Sequence, residues 1–170
     1  HIRRRAKDLG AEDMLPDWAM AKSTVSPLSV ALGVLLADSY SVYHEAHGFH
    51  WNVKGADFSQ YHDLFSSITD DIYESIDPIA ENMLKINADA PFRMSELASM
   101  RTIPESSPAS DPQSMATALL AQIDGLLNTL KRTFDSAIAQ NEQGIANFLS
   151  ERIDATQKWA WQLRASAGVQ

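Results

Sequence analysis

The chain contains no cysteine among its 170 residues. This absence excludes disulfides, thiolate metal ligands and thiol nucleophiles, so any metal site must use nitrogen and oxygen ligands. The longest apolar run, over 30–37, is followed at once by Asp38 and falls far short of the roughly 18 residues that span a bilayer. No nucleophile elbow, glycine-rich phosphate loop or alternating strand pattern is present. A serine hydrolase and a nucleotide-binding α/β domain are therefore poorly supported.

Positive charge is scarce outside the first ten residues. Residues 1–10 carry a net charge of +3, whereas the other 160 carry ten basic and twenty-one acidic side chains, a net of −11. An acidic body attracts cations, and a basic arm can bind phosphates. The opening HIRRRAK has the charge of a signal n-region, but an acidic stretch follows where an apolar h-region should lie, so we expect no export. We predict a basic arm over 1–25 and one domain over 26–170.

Hydrophobic periodicity predicts four long helices. Ser26 and Pro27 have the character of an N-cap and a first helical position, and Asp111 and Pro112 repeat that pair before a later helix. Gly55 supplies turn flexibility between the first two helices. The predicted helices run over about 26–51, 58–87, 112–139 and 145–163, with a short helix over 93–100.

The connections between these helices are short, long and short. A long connection over 88–112 lets the second and third long helices run parallel, which is the ferritin-like topology. The predicted fold is therefore an all-α, ferritin-like four-helix bundle with one crossover that carries a short helix. Helices of this length, about 35–45 Å, are long for a monomer of this size, so we expect an assembly. Pro78 lies inside the second helix and predicts a local kink or bulge.

Two histidines and two carboxylates are the candidate metal ligands. His50 ends the first helix and His62 begins the second, and the short loop between them makes these ends neighbours. Asp77 and Glu81 are four residues apart and so share one helix face, where they repel each other unless a cation or a proton lies between them. We interpret the lone histidines His44 and His47 as surface residues.

The spacing of these candidates indicates a site shared by two chains. His62 and Asp77 are fifteen residues apart on one helix, or about 22 Å. If all four ligands serve one metal, the second helix must meet a second copy in a twofold dimer. The alternative is a di-iron centre inside one bundle, which uses Glu-x-x-His motifs. No glutamate in the chain is followed by a histidine three residues later.

The residues around these candidates resemble one family. The matching stretches cover nearly the whole chain and are LLADSYSVY, FHWNVKGADF, YHDLF, DPIAE and FLSERIDATQKWAWQLRA. They are similar to the Dps miniferritins, the DNA-binding proteins from starved cells. Ala37 and Asp38 match an Ala-Asp pair that is common in this family, which accounts for a charged residue in an otherwise apolar helix face.

The resemblance implies a function and a set of ligands. It assigns His50 and His62 to iron ligands from one subunit, Asp77 and Glu81 to ligands from its partner, and Trp51 to electron transfer beside the site. It implies a hollow homo-dodecamer that oxidises Fe(II), preferentially with hydrogen peroxide, at two iron positions per inter-subunit site. Storage of the ferric product then protects DNA from hydroxyl radicals.

Three positions depart from the family pattern. Ser66 stands where an Asp ligand is usual, four residues after the second histidine, so we expect one tight and one weak iron position. Asn141 and Asn147 stand where acidic residues commonly line the iron-uptake pore, which leaves Glu142. Pro78 separates the two partner carboxylates, and we expect it to influence their positions.

The sequence thus predicts a cytoplasmic ferroxidase and iron store that has no membrane partner. The alternative is a DNA-compacting or structural shell with weak or absent ferroxidase activity, and a bundle that only mediates protein contacts is a third possibility. Many members of the family bind DNA. Twelve copies of the arm could bridge phosphates without sequence preference, and the protein would then associate with the nucleoid. The arm's candidate DNA-binding residues are Arg3, Arg4, Arg5 and Lys7.

Overall fold

The computed structural model describes residues 25–169, and every regular element among them is helical. The all-α prediction is confirmed, including the short helix inside the crossover. No helix in this range is both long enough and apolar enough to cross a membrane. The helices are α1 (Pro27–Asn52), α2 (Phe58–Lys85), α3 (Met94–Met100), α4 (Pro112–Ala139) and α5 (Gln143–Ala167).

Local sequence accounts for where α1 and α4 begin. The Ser26 hydroxyl accepts a hydrogen bond from the backbone N–H of Ser29, and the Ser29 hydroxyl accepts one from the N–H of Ser26, which makes a reciprocal capping box. Asp111 caps α4 with its carboxylate, which accepts a hydrogen bond from the backbone N–H of Ser114 at 2.9 Å. Gly55 has φ +98°, a left-handed conformation that glycine adopts without strain, and it turns the chain from α1 into α2.

Hydrogen bonds at one end of the bundle define the topology. The Tyr61 hydroxyl, near the start of α2, donates to the carbonyl of Ser166 at 2.7 Å. The Gln113 side chain, at the start of α4, donates to the carbonyl of Ala167 at 2.7 Å. Since both helices start beside the last turn of α5, α2 and α4 run parallel. This is the predicted ferritin-like arrangement.

Aliphatic side chains from the inner faces of the long helices form one core. The largest side chain with no exposed surface is Phe65. The other large side chains that are almost fully buried are Leu28, Leu32, Leu35, Leu36, Ile68, Ile72, Ile79, Leu119, Ile123, Leu126 and Leu130.

Asp38 is buried on α1 with none of its surface exposed. Its carboxylate accepts hydrogen bonds from the backbone N–H groups of Thr102 and Ile103, at 2.6 and 3.2 Å. The hydroxyls of Thr102 and Thr129 donate to it at 2.7 and 2.8 Å. Four donors satisfy the buried charge. Asp38 therefore fastens the crossover and α4 to α1, which explains a charged residue in the apolar stripe.

A second carboxylate joins α2 to α5. Both terminal nitrogens of Arg152 donate to Asp71, at 3.0 and 2.9 Å, and the indole N–H of Trp159 donates at 2.7 Å. Burial by itself raises the pKa of Asp71. The hydrogen bonds and charge of Arg152, together with Trp159, outweigh that effect and hold this pKa below its ordinary value.

The structure shows no bulge at Pro78, and the local kink expected there stays a prediction. Every residue from Phe58 to Lys85 is α-helical, so the proline does not interrupt α2. Pro78 removes one intrahelical hydrogen bond. Ile76 and Ile79 on either side of it are buried, and their packing in the core holds the helix together at this point.

Replacing Asp38 with alanine tests the role of this carboxylate. We expect Asp38→Ala to lower the free energy of unfolding by about 3 kcal/mol or more, because two buried N–H groups and two hydroxyls lose their acceptor. Urea denaturation followed by circular dichroism measures the change. Asp124→Ala is the matched control, since Asp124 is exposed on α4 and should change stability by less than about 0.5 kcal/mol. Equal effects of the two variants would contradict the assignment.

Candidate metal centre

His50 and His62 meet at one end of the α1–α2 pair. Their ring centroids are 3.9 Å apart and the ring planes are tilted by 20°, so the imidazoles stack. The loop around Gly55 brings them together although they are twelve residues apart in sequence. The expected convergence of the two histidines is present in the folded chain.

Each histidine is oriented by the backbone of the other. Nδ1 of His50 lies 2.9 Å from the carbonyl oxygen of His62, and Nδ1 of His62 lies 2.8 Å from the carbonyl oxygen of His50. A carbonyl only accepts, so both Nδ1 atoms carry the proton and donate it. Nε2 is then the ring nitrogen of each histidine that offers a lone pair to a metal. Two oriented Nε2 donors suit a borderline metal such as Fe(II).

Asp77 and Glu81 lie together on the exposed face of α2. Hydrogen bonding with Asp77, followed by the negative charge of Asp77, raises the pKa of Glu81 above its ordinary value. The effect of the Asp77 charge is the repulsion expected from two carboxylates one turn apart. A cation between the two groups would relieve it.

The structure does not bring the histidines and the carboxylates together. His62 and Asp77 belong to the same unbroken helix, which keeps them about 22 Å apart. Within residues 25–169, no three or more metal-binding side chains cluster around one point. One chain therefore carries two incomplete halves, an imidazole pair and a carboxylate pair.

Trp51, beside the histidine pair, is 66% exposed. Its ring packs against His47, with the centroids 4.1 Å apart. His47 also stacks near His50, at 6.2 Å, so it belongs to the surroundings of the site. His44 is exposed, and its ring centroid lies 5.3 Å from that of Tyr43. Tyr43, His47 and Trp51 form a row of aromatic rings on α1. Their spacing of four residues was visible in the sequence, but the sequence patterns did not single them out.

The residues that depart from the family pattern have identifiable positions. Ser66 lies one helical turn after His62 and is half-buried, and it brings no charge to the site. Asn141 has φ +57° in the turn between α4 and α5, a left-handed conformation that asparagine tolerates. Glu142 is the N-terminal boundary residue of α5, and Asn147 is exposed on that helix. The candidate DNA-binding arm, 1–25, lies outside the described residues except for Val25.

The face that carries Asp77 also exposes large apolar side chains. Tyr73 is 59% exposed, Phe92 is 75% exposed and Met94 is 80% exposed. An open groove of about 490 Å³ runs between α1, α2 and the crossover, and it is lined by Tyr73, Asp77 and Phe92 among others. Exposed apolar surface beside an incomplete site is typical of a protein interface.

Comparison with known proteins places the chain in a family. The ferritin-like domain family matches residues 30–168. DNA protection during starvation protein 2 of Bacillus anthracis is 28% identical over 130 residues, which is 76% of this chain and 89% of that protein. The crystal structure of a Dps protein from Vibrio cholerae, described as a member of the ferritin-like diiron-carboxylate superfamily, aligns with a TM-score of 0.77 at 28% identity. That alignment covers 81% of this chain and 87% of the other.

A Dps protein from Bacillus brevis also aligns with a TM-score of 0.77, at 25% identity over 81% of this chain and 93% of that one. The chain therefore belongs to the ferritin-like family and, within it, to the Dps miniferritins.

Proposed function

We propose that the protein is a ferroxidase and iron store that oxidises Fe(II) with hydrogen peroxide and keeps the ferric product inside a hollow shell of twelve copies. The observation that carries this proposal is the division of the ligands on one helix. Imidazoles whose Nε2 atoms offer lone pairs lie at one end of α2, and a repelling carboxylate pair lies about 22 Å away. The family supplies the iron chemistry, and the division supplies the need for a second copy.

A twofold dimer completes both halves at once. When α2 of one copy packs antiparallel to α2 of its partner, His50 and His62 of each copy meet Asp77 and Glu81 of the other. The contact also covers the exposed apolar residues beside Asp77, including Tyr73 and Phe92. The interface and the metal site therefore form together, and an isolated chain has no complete site.

The chain's own residues hold the substrate iron and set the electrostatic environment around it. The carbonyls of His50 and His62 hold the two rings so that Nε2 faces the metal. Asp77 and Glu81 bring two negative charges, which favour Fe(III) over Fe(II) and so promote oxidation. Trp51 follows His50 in the chain and packs on His47, with the ring centroids 4.1 Å apart, so it is placed to supply an electron to iron held by the two histidines. Two Fe(II) and one peroxide with two protons give two Fe(III) and two water molecules, so no hydroxyl radical is released.

Ser66 divides the site into unequal iron positions. Two imidazoles and two carboxylates suffice for one tightly held ion. The second position lacks the carboxylate that other members of the family place at this point, so it binds weakly. The turn around Asn141 and Glu142 is the proposed uptake route, with a single carboxylate in place of an acidic cluster.

A second function rests on the basic arm. A net charge of +3 in residues 1–10, repeated twelve times, gives multivalent phosphate binding despite the acidic body. The relative from Bacillus anthracis carries DNA protection in its name. We therefore propose a cytoplasmic protein that associates with the nucleoid. If ferroxidase activity is absent, DNA compaction by the shell remains as its function.

Mixing two inactive variants tests the shared site. We expect His50→Ala/His62→Ala and Asp77→Ala/Glu81→Ala each to lose peroxide-dependent Fe(II) oxidation, since each lacks one half-site in every copy. Random dimers of the two variants, refolded together in equal amounts, rebuild one intact site in about half of the dimers. About a quarter of the wild-type activity should then return.

Stopped-flow absorbance of the ferric product measures this recovery, and His44→Ala serves as the matched histidine control. Two outcomes would overturn the proposal. One is wild-type protein whose oxidation with peroxide does not exceed the protein-free rate, and the other is a mixture that recovers no activity although its dimers form.

The unequal iron positions are tested by restoring the carboxylate. We expect wild-type protein to bind one Zn(II) tightly per site and a second at least tenfold more weakly, whereas Ser66→Asp should bind both tightly because the added charge attracts the second cation. Isothermal titration with Zn(II) measures both affinities. Ser67→Asp, one residue along on the exposed surface, is the control. Two equally tight sites in the wild type would contradict the expectation.

DNA binding is tested by removing residues 1–7. We expect the full chain to retard DNA of any sequence at low salt and to release it steeply as the salt concentration rises, because phosphate neutralisation releases counterions. The truncated protein should bind at least tenfold more weakly in the same gel-retardation assay. Equal retardation by both proteins would show that the arm does not carry the interaction.

A further inference from the structure

A row of aromatic rings connects the two half-sites of one chain. The Trp51 ring packs on His47 at 4.1 Å, and Tyr43 lies 5.5 Å from His47 on its other side. Tyr73 then lies 5.4 Å from Tyr43, so the row crosses from α1 to α2. All of these are distances between ring centroids, and all are within the range of direct aromatic contact.

The row starts and ends at metal ligands. Trp51 follows His50 in sequence. At the other end, Tyr73 precedes Asp77 by one helical turn, and both residues line the same groove. Because the dimer pairs each chain's carboxylates with its partner's histidines, these two ends belong to different metal sites. The row therefore spans the distance between the two sites of a dimer.

We propose that this row is an electron path between the two metal sites of a dimer. Trp51, Tyr43 and Tyr73 are its redox-active members. His47 is a positioning residue whose ring fills the gap between Trp51 and Tyr43, which are eight residues, or about 12 Å, apart along α1. The proposal rests on the peroxide-dependent ferroxidase function given above.

The serine at position 66 creates the need for an electron from outside the site. Peroxide needs two electrons to become two water molecules, and one Fe(II) gives only one. When only one iron position per site is tight, the second electron must come from elsewhere, or one-electron reduction releases hydroxyl radical. An Fe(II) in the other site of the dimer is the nearest equivalent donor.

The transfer balances in atoms and electrons. The Fe(II) beside peroxide gives one electron, and Trp51 gives the second, so that peroxide and two protons become two water molecules. Tyr43 reduces the oxidised Trp51, and Tyr73 reduces the oxidised Tyr43. Each phenol loses a proton when its ring is oxidised and regains one when the ring is reduced, so the row takes up no net proton. Fe(II) at the other site reduces Tyr73 and becomes Fe(III).

The residue types favour a path from Trp51 towards Tyr73 over a path that leaves the site through Phe58. Tyrosine and tryptophan side chains lose an electron far more readily than phenylalanine does. The ring that stacks on the opposite side of His62, at 4.9 Å, is Phe58, which cannot continue a path there.

Conservative substitutions test the path. Tyr43→Phe and Tyr73→Phe keep each ring but remove its capacity to be oxidised, and Tyr61→Phe is the control because Tyr61 bonds to Ser166 outside the row. Each protein is loaded without oxygen with one Fe(II) per site and given less peroxide than iron. We measure Fe(III) formed per peroxide, spin-trapped hydroxyl radical, and tyrosyl radical by freeze-quench electron paramagnetic resonance.

Wild type and Tyr61→Phe should form two Fe(III) per peroxide, with a transient tyrosyl signal and little trapped hydroxyl radical. The two row variants should fall towards one Fe(III) per peroxide, gain the hydroxyl-radical adduct and lose the tyrosyl signal. Row variants that match the wild type in all three measurements would overturn the electron path while leaving the ferroxidase function intact. A wild type that oxidises no Fe(II) with peroxide would overturn both.

Discussion

The rise of an α-helix, 1.5 Å per residue, is the constraint on which the functional account depends. α2 is unbroken over 28 residues, and it carries His62 near its start and Asp77 and Glu81 past its middle. No rotation of side chains closes a gap of about 22 Å. Because the histidine end and the carboxylate end of the helix each supply half of a ligand set, a second copy must pack antiparallel to complete both sets.

Two sets of polar contacts hold this helix in place. Near the middle of α2, Asp71 joins this helix to α5 by accepting hydrogen bonds from Arg152 and Trp159. At the start of α2, the reciprocal bonds between the rings and carbonyls of His50 and His62 fix the meeting of α1 and α2. Both sets are satisfied within the chain, so the histidine half-site is organised before any metal or partner arrives.

Much of this architecture could be predicted because it depends on residues that are close together in the sequence. Ser26, Pro27 and Asp111 act through neighbours within three residues, and Gly55 through its own backbone freedom. The structural role of Asp38 could not be predicted in that way, because its donors lie more than sixty residues away. The bulge expected at Pro78 is absent, since α2 stays α-helical through this position. The aromatic row could not be predicted from the sequence, because its contact between Tyr43 and Tyr73 joins two different helices.

The central claim is that two chains hold each metal ion. Crystals of the protein soaked with Zn(II), with anomalous diffraction data collected at the zinc edge, test it most directly. The account predicts an anomalous peak about 2.0–2.2 Å from Nε2 of His50 and His62 of one chain and from the carboxylates of Asp77 and Glu81 of a second. A tightly bound ion with all of its protein ligands from one chain would contradict it.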